Sequence, residues 1–139
     1  MPLMNKTLLL VDDDASVRES VEKVLRGAGY EVVLAAGGLE AIAKFQAQSI
    51  DLILLDIGLP NLNGWEACRH LARERPNVPI ILITGQAGQF KSALAAGAVA
   101  LMEKPLDAHR LLEVVQEILV RQKPSDQVPS GGAFSRVGA

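Results

Sequence analysis

Four stretches of the chain hold side chains suited to phosphorus or metal chemistry. Asp12, Asp13 and Asp14 stand in a row just after an apolar run at residues 8–11. Asp56 follows a second such run at 52–55, and Thr84 a third at 80–83. Glu103, Lys104 and Pro105 follow a fourth at 99–102. Carboxylates held close together repel, so a cation should neutralise them. Oxygen ligands with no His or Cys nearby favour Mg²⁺, which takes one or two carboxylates plus a phosphate and keeps several waters. A carboxylate beside such an ion and a lysine can attack phosphorus. The two cations offset the charge on the phosphoryl oxygens, and the product is an aspartyl-phosphate.

These residues need a scaffold that gathers them. The pattern predicts strands at 8–11, 32–34, 52–55, 80–83 and 99–102. It predicts helices at 16–28, 39–47, 65–75, 90–96 and 108–122. In the first helix Val17, Val21, Val24, Leu25 and Ala28 recur at helical spacing, and in the last Leu111, Leu112, Val115, Ile118 and Leu119 face inward. Gly29, Pro76 and Gly97 act as stop signals. Strands that are apolar on both faces and alternate with helices form a parallel sheet covered on both sides. Ligands of such open α/β sheets bind outside the carboxyl ends of the strands. Asp12, Asp13, Asp56, Thr84 and Lys104 all fall there.

The composition narrows the function classes. The chain has 139 residues, 49% apolar and 22% charged, which fits one globular domain. A net charge of −2 argues against a general nucleic-acid binder. Aromatics at 4% leave little for base stacking. One cysteine excludes an internal disulfide. The longest apolar stretch, 93–102, falls short of the roughly 20 residues a membrane span needs. The run at 8–11 ends in three aspartates, where a signal peptide would continue. A cytoplasmic protein without a membrane segment is expected. Residues 1–122 read as one domain, and 123–139, opening with a Pro/Ser/Gly-rich stretch, as a flexible tail or linker.

The motifs also carry a resemblance. Leu9-Leu10-Val11-Asp12-Asp13-Asp14, Asp56-Ile57-Gly58-Leu59-Pro60-Asn61-Leu62-Asn63-Gly64, Ile83-Thr84-Gly85 and Glu103-Lys104-Pro105 stand in order, each after its own strand. Together they resemble the response-regulator receiver domain of two-component signalling, over residues 6–122. The resemblance implies a flavodoxin-like, doubly wound α/β fold with a five-stranded parallel sheet of order 2-1-3-4-5. It implies that Asp56 is the phosphoacceptor. It implies that Mg²⁺ is held by Asp12, Asp13, Asp56 and the backbone carbonyl of Gly58, with Asp12 binding directly or through water. Thr84 would hydrogen-bond the phosphoryl group. Lys104 would pair with a phosphoryl oxygen, and with Asp56 beforehand. A cis Lys104-Pro105 bond and a tight helix entry at Gly64 are implied too.

The function so implied is a phosphorylation-activated switch, not an enzyme turning over an external substrate. The phosphoryl group would come from a sensor histidine kinase or a histidine phosphotransfer protein. With no effector domain in the chain, output would pass through protein contacts to a partner the sequence does not name. The face of the fourth helix, fifth strand and fifth helix, a common dimer face in the family, leaves a homodimer open. Two other functions compete. In a metal-dependent phosphohydrolase, Asp12 would be the nucleophile and Asp14 the acid/base. A pseudo-receiver would dock constitutively without phosphorylation.

Other residues have plainer readings. Asp14 precedes a helix and reads as its N-cap. Cys68 reads as an inert core thiol, and His70 and His109 as surface residues. Arg69 and Arg73, with Glu66 nearby, read as a solvated ion-pair face. Some positions depart from the family pattern. Leu101 stands three residues before Lys104, where switching receivers usually carry Tyr or Phe. The stretch from Thr84 to Lys104 is a couple of residues short. Gly58 and Gln86 occupy the places whose side chains tune phosphoryl loss in the family, and Gly58 offers none. The Gly-rich segment 85–89 and the brief helix after it predict a mobile fourth helix and an unusual output face.

Overall fold

The structure, a computed structural model, describes residues 5–59, 63–121 and 135–137. Strand and helix alternate through the described residues. The order is β1 (Thr7–Val11), α1 (Ala15–Gly27), β2 (Glu31–Ala35), α2 (Gly38–Ala47), β3 (Leu52–Asp56), α3 (Gly64–Glu74), β4 (Ile80–Thr84), α4 (Phe90–Ala96), β5 (Ala100–Glu103), α5 (Ala108–Arg121) and β6 (Ser135–Val137). All neighbouring strands are parallel, in the order β2-β1-β3-β4-β5-β6. The first five stand in the expected order 2-1-3-4-5. β6 lies within the stretch read from sequence as a tail and pairs with the outer edge of β5, Ala100 opposite Ser135 and Met102 opposite Val137. A bare edge strand presents unpaired N–H and C=O groups, and β6 takes up part of that row. Pro60, Asn61 and Leu62 of the third motif, Gln122 of the last predicted helix, and residues 123–134 lie outside the described residues.

Alternation along the strands builds two cores. Successive side chains of a strand point to opposite faces. Leu8, Leu10, Leu52, Leu54, Ile81 and Ile83 therefore pack with Val21 and Leu25 of α1 and with Leu111, Val115 and Ile118 of α5. Leu9, Val11, Ile53, Leu55, Ile80, Leu82 and Leu101 pack on the other face with Phe45 of α2, Cys68 and Leu71 of α3, and Ala93 and Ala96 of α4. Each fully buried Leu or Ile contributes about 1.5–3 kcal/mol, so register is strongly fixed. A slip of one residue would exchange the two faces.

Local chemistry sets where the helices begin and end. Asp14 caps α1, its Oδ1 accepting the N–H of Ser16 at 2.9 Å and of Val17 at 3.2 Å. Asn63 caps α3 through the N–H of Glu66 at 2.9 Å. Gly64 then starts α3 against the backbone of Ile57. A Cβ there would lie 2.1 Å from the Ile57 Cα, so only glycine fits. Gly97 ends α4 in the left-handed region, φ 97°. The Lys104-Pro105 bond is cis.

Candidate functional site

The parallel register lines up the carboxyl ends of four strands. Val11 lies opposite Leu55, Asp56 opposite Ile83, and Thr84 opposite Glu103. Asp12 follows β1 and its N–H donates to the Ala35 carbonyl at 3.1 Å, which ties it to β2. The buried polar or charged side chains among the described residues are Asp12 (3% exposed), Asp56 (4%) and Thr84 (2%). The polar groups taken out of water thus all sit at one edge of an otherwise apolar sheet. Burying them is costly unless they are paired.

The pairing centres on Asp56. Its Oδ2 accepts from Lys104 Nζ at 2.8 Å, and its Oδ1 accepts from the Gly58 N–H at 2.9 Å. Lys104 also lies 3.9 Å from Asp12 Oδ2. Asp12 Oδ1 accepts the Asp14 N–H at 2.9 Å. One carboxylate oxygen from each of Asp12, Asp13 and Asp56 falls within 4.8 Å of the others. Asp13 is exposed, so the group opens to solvent. Three hard oxygen donors with no His or Cys among them form a set that fits a divalent cation of the Mg²⁺ or Ca²⁺ type.

The electrostatics agree with such a set. Burial raises the Asp12 carboxyl above its ordinary value of 3.8. The charges of Asp56 and Asp13 add to the rise, while the Asp14 N–H and Lys104 oppose it. Burial works to lower the Lys104 ammonium, but the Asp56 hydrogen bond and the charges of Asp56, Asp12 and Asp13 outweigh it. The net shift is upward from 10.5. Lys104 is thus fully charged at neutral pH and partly neutralises the acidic group.

The residues picked out in the sequence fall into three sets. Asp12, Asp13, Asp56 and Lys104 meet in one cluster. Thr84 is adjacent but turned to its own loop, its hydroxyl accepting from the Gln86 N–H at 3.0 Å and donating to the Gln86 carbonyl at 3.4 Å. Its backbone carbonyl accepts the Lys104 N–H at 2.7 Å. Gly58 joins the cluster through its N–H. Asp14 is the α1 N-cap, as read. Cys68 is a core thiol whose pKa burial pushes up to about 12, and its Sγ donates to the Ala96 carbonyl at 3.4 Å. His70 and His109 are exposed, beside Glu74 and Glu113.

The ion-pair face expected of Glu66, Arg69 and Arg73 needs correction. All three are exposed, but no pair between them forms among the described residues. Exposed pairs gain little over water, so helical spacing permits them without requiring them: Glu40 and Lys44 of α2 pair at 2.9 Å, and Glu66 and Arg69 of α3 do not. Leu101 is 1% exposed and packs in the second core. Two contacts were not read from the sequence. One is the Gly58 N–H on Asp56. The other is Arg18, whose Nη1 donates to the Asp12 carbonyl at 2.7 Å. A cation one turn beyond the capping Asp14 was the available signal for it.

Comparison with known proteins follows the same lines. A family model described as a response regulator receiver domain matches residues 8–116. The response regulator MprA of Mycobacterium tuberculosis is 36% identical over 129 residues, covering 91% of this chain and 56% of that protein. The chain spans about half the length of the curated relatives it matches. A CheY-like receiver domain protein from Methanospirillum hungatei JF-1 is 37% identical with a TM-score of 0.82, over 85% of this chain and 96% of that one. The chemotaxis response regulator CheY4 of Vibrio cholerae is 33% identical with a TM-score of 0.78, over 83% and 99% of the two chains.

Proposed function

The chain belongs to the response-regulator receiver family, whose members are phosphorylation-activated switches, and on that premise we propose that it takes a phosphoryl group onto Asp56. The carrying observation is the Asp56 carboxylate itself. It is buried, held from both sides by Lys104 and the Gly58 N–H, and within 4.8 Å of two further carboxylates. A histidine-phosphorylated kinase or transfer protein is the donor. An Asp56 oxygen attacks phosphorus, the new O–P bond forms as the donor's N–P bond breaks, and the freed imidazole takes a proton from solvent.

Asp12, Asp13 and Asp56, with the Gly58 carbonyl, would hold Mg²⁺, and the ion would supply charge neutralisation at the phosphoryl oxygens. Lys104 is already charged and within bonding distance of Asp56 Oδ2, so it follows the charge onto a phosphoryl oxygen. Thr84 rotates from Gln86 to donate to another. The protein modifies its own carboxylate and turns over no external substrate. No helix among the described residues is long and apolar enough to cross a membrane, and a cytoplasmic setting beside a kinase suits the chemistry. The phosphohydrolase reading needs Asp14 as acid/base, and Asp14 Oδ1 is taken by two helix amides.

Intact mass after incubation with acetyl phosphate tests the reading. One added phosphoryl group is expected with Mg²⁺, and none with EDTA or in Asp56→Asn. No gain in the wild-type chain, with Mg²⁺ bound, would favour a constitutive docking module instead.

A further inference from the structure

Arg18 lies outside the four motifs, yet it reaches the site. It stands in the first turn of α1, half-buried, with its own N–H bonded to the Asp14 carbonyl at 2.9 Å. Its Nη1 donates to the backbone carbonyl of Asp12 at 2.7 Å. The Asp12 residue is thereby held on every side. Its N–H goes to Ala35, its carbonyl to Arg18, and its Oδ1 accepts from Asp14. Glu40 of α2 closes the circuit. Its Oε1 accepts the Ala36 N–H at 2.9 Å and its Oε2 pairs with Lys44 at 2.9 Å. The Ala36 hydrogen bond, then Lys44, hold the Glu40 carboxyl below its usual range, and the charge of Arg18 adds to the effect. The ends of β1 and β2 and the starts of α1 and α2 meet around one peptide.

We propose that Arg18 is a positioning residue for the cation site. By bonding the Asp12 carbonyl it fixes the turn between β1 and α1, and so aims the carboxylates of Asp12 and Asp13. The proposal rests on reading the acidic cluster as a Mg²⁺ site. Charge alone gives the opposite expectation, since a guanidinium bonded to the Asp12 carbonyl would repel a divalent ion held by the neighbouring carboxylates and its loss should tighten binding. A charge-assisted hydrogen bond to a carbonyl is short and directional. Removing partners that orient metal ligands typically costs about 10- to 100-fold in affinity. Arg18 acts on the backbone of a ligand rather than on its carboxylate, so the lower end, about tenfold, is expected.

The test uses the full chain and its Arg18→Met and Arg18→Lys variants. Each is titrated with MgCl₂ by isothermal calorimetry. Amide exchange at residues 12–14 and the urea midpoint are measured in EDTA. Arg18→Met should bind Mg²⁺ about tenfold more weakly and exchange its Asp14 amide faster. Arg18→Lys, a point donor to the same carbonyl, should recover most of the loss. Unchanged or tighter Mg²⁺ binding in Arg18→Met overturns the proposal, even with a lowered urea midpoint, for that is a scaffold role alone. A lysine variant no better than the methionine one overturns it as well. If the wild-type chain takes no Mg²⁺, the cation-site reading fails separately. The exchange data then decide, and an unchanged Asp14 amide in Arg18→Met overturns the positioning role.

Discussion

Replacing Lys104 by Met keeps the aliphatic stem and deletes the charge that holds the acidic group together. Lys104 lies 2.8 Å from Asp56 Oδ2 and 3.9 Å from Asp12 Oδ2. At an effective dielectric of about 20 the first contact alone is worth about 6 kcal/mol before desolvation. The Lys104 side chain is 33% exposed, so water screens part of this. Breaking a fully buried pair costs about 3–5 kcal/mol, and exposed pairs are worth about 0–1. A loss of about 2 kcal/mol is therefore expected in EDTA at pH 7. With a urea slope of about 1–3 kcal/mol per molar, the midpoint falls by about 1 M. The assay is urea unfolding followed by fluorescence of Trp65, the chain's one tryptophan.

Two controls sharpen the same experiment. Mg²⁺ should stabilise Lys104→Met more than the wild type, because the carboxylates are then unopposed. The pH dependence also has a definite sign. The folded Lys104 pKa lies above 10.5, so its contribution is full below 10.5 and is lost as pH rises through the folded value. The gap between wild type and variant should stay level from neutral pH to about 10 and close above it. A variant as stable as the wild type at pH 7 would contradict this expectation, for it would mean that desolvation of the pair cancels its attraction.

Other outcomes follow from the same geometry. The folded pKa of Asp12 is raised above 3.8, so its contribution to metal-free stability is present below 3.8 and lost as pH rises through the folded value. Asp12→Asn should thus be more stable than the wild type in EDTA at pH 7, show no gain at pH 3, and lose Mg²⁺-dependent stabilisation; urea titrations at the two pH values check this. Gly64→Ala puts a methyl group 2.1 Å from the Ile57 Cα, and a loss of about 3 kcal/mol or more in chemical unfolding is expected. α4 is a seven-residue helix with no side-chain cap at Gln89. Its amides should exchange faster than those of the 13-residue, Asp14-capped α1 in native-state hydrogen exchange.

The legible part of the fold was the part written in side-chain periodicity. The strand runs at 8–11, 52–55 and 80–83 are apolar at every position, and that is what two buried faces demand. Asp12, Asp56, Thr84 and Lys104 could be placed at one edge because parallel strands all end there. Asp14 could be read as a cap because cap chemistry resides in its side chain. What escaped was mostly backbone. β6 is three residues, Ser135–Val137, with no apolar run, and its partner is the open edge of β5. Arg18 finds a carbonyl, and Asp56 finds the N–H of Gly58; neither acceptor nor donor has a residue type to signal it. The spacing of Glu66 with Arg69 allowed an ion pair, and Arg73 lies two turns from Glu66; an exposed pair is worth so little that spacing permits it without requiring it.

The most direct test asks which atom carries the phosphoryl group. The chain is incubated with Mg²⁺ and acetyl phosphate, reduced with borohydride, digested and sequenced by tandem mass spectrometry, so that an aspartyl-phosphate is read as homoserine. Homoserine at position 56, and at no other aspartate, is the expected result. Homoserine at Asp12 or Asp13, or none from a chain that has gained phosphoryl mass, would contradict Asp56 as the acceptor.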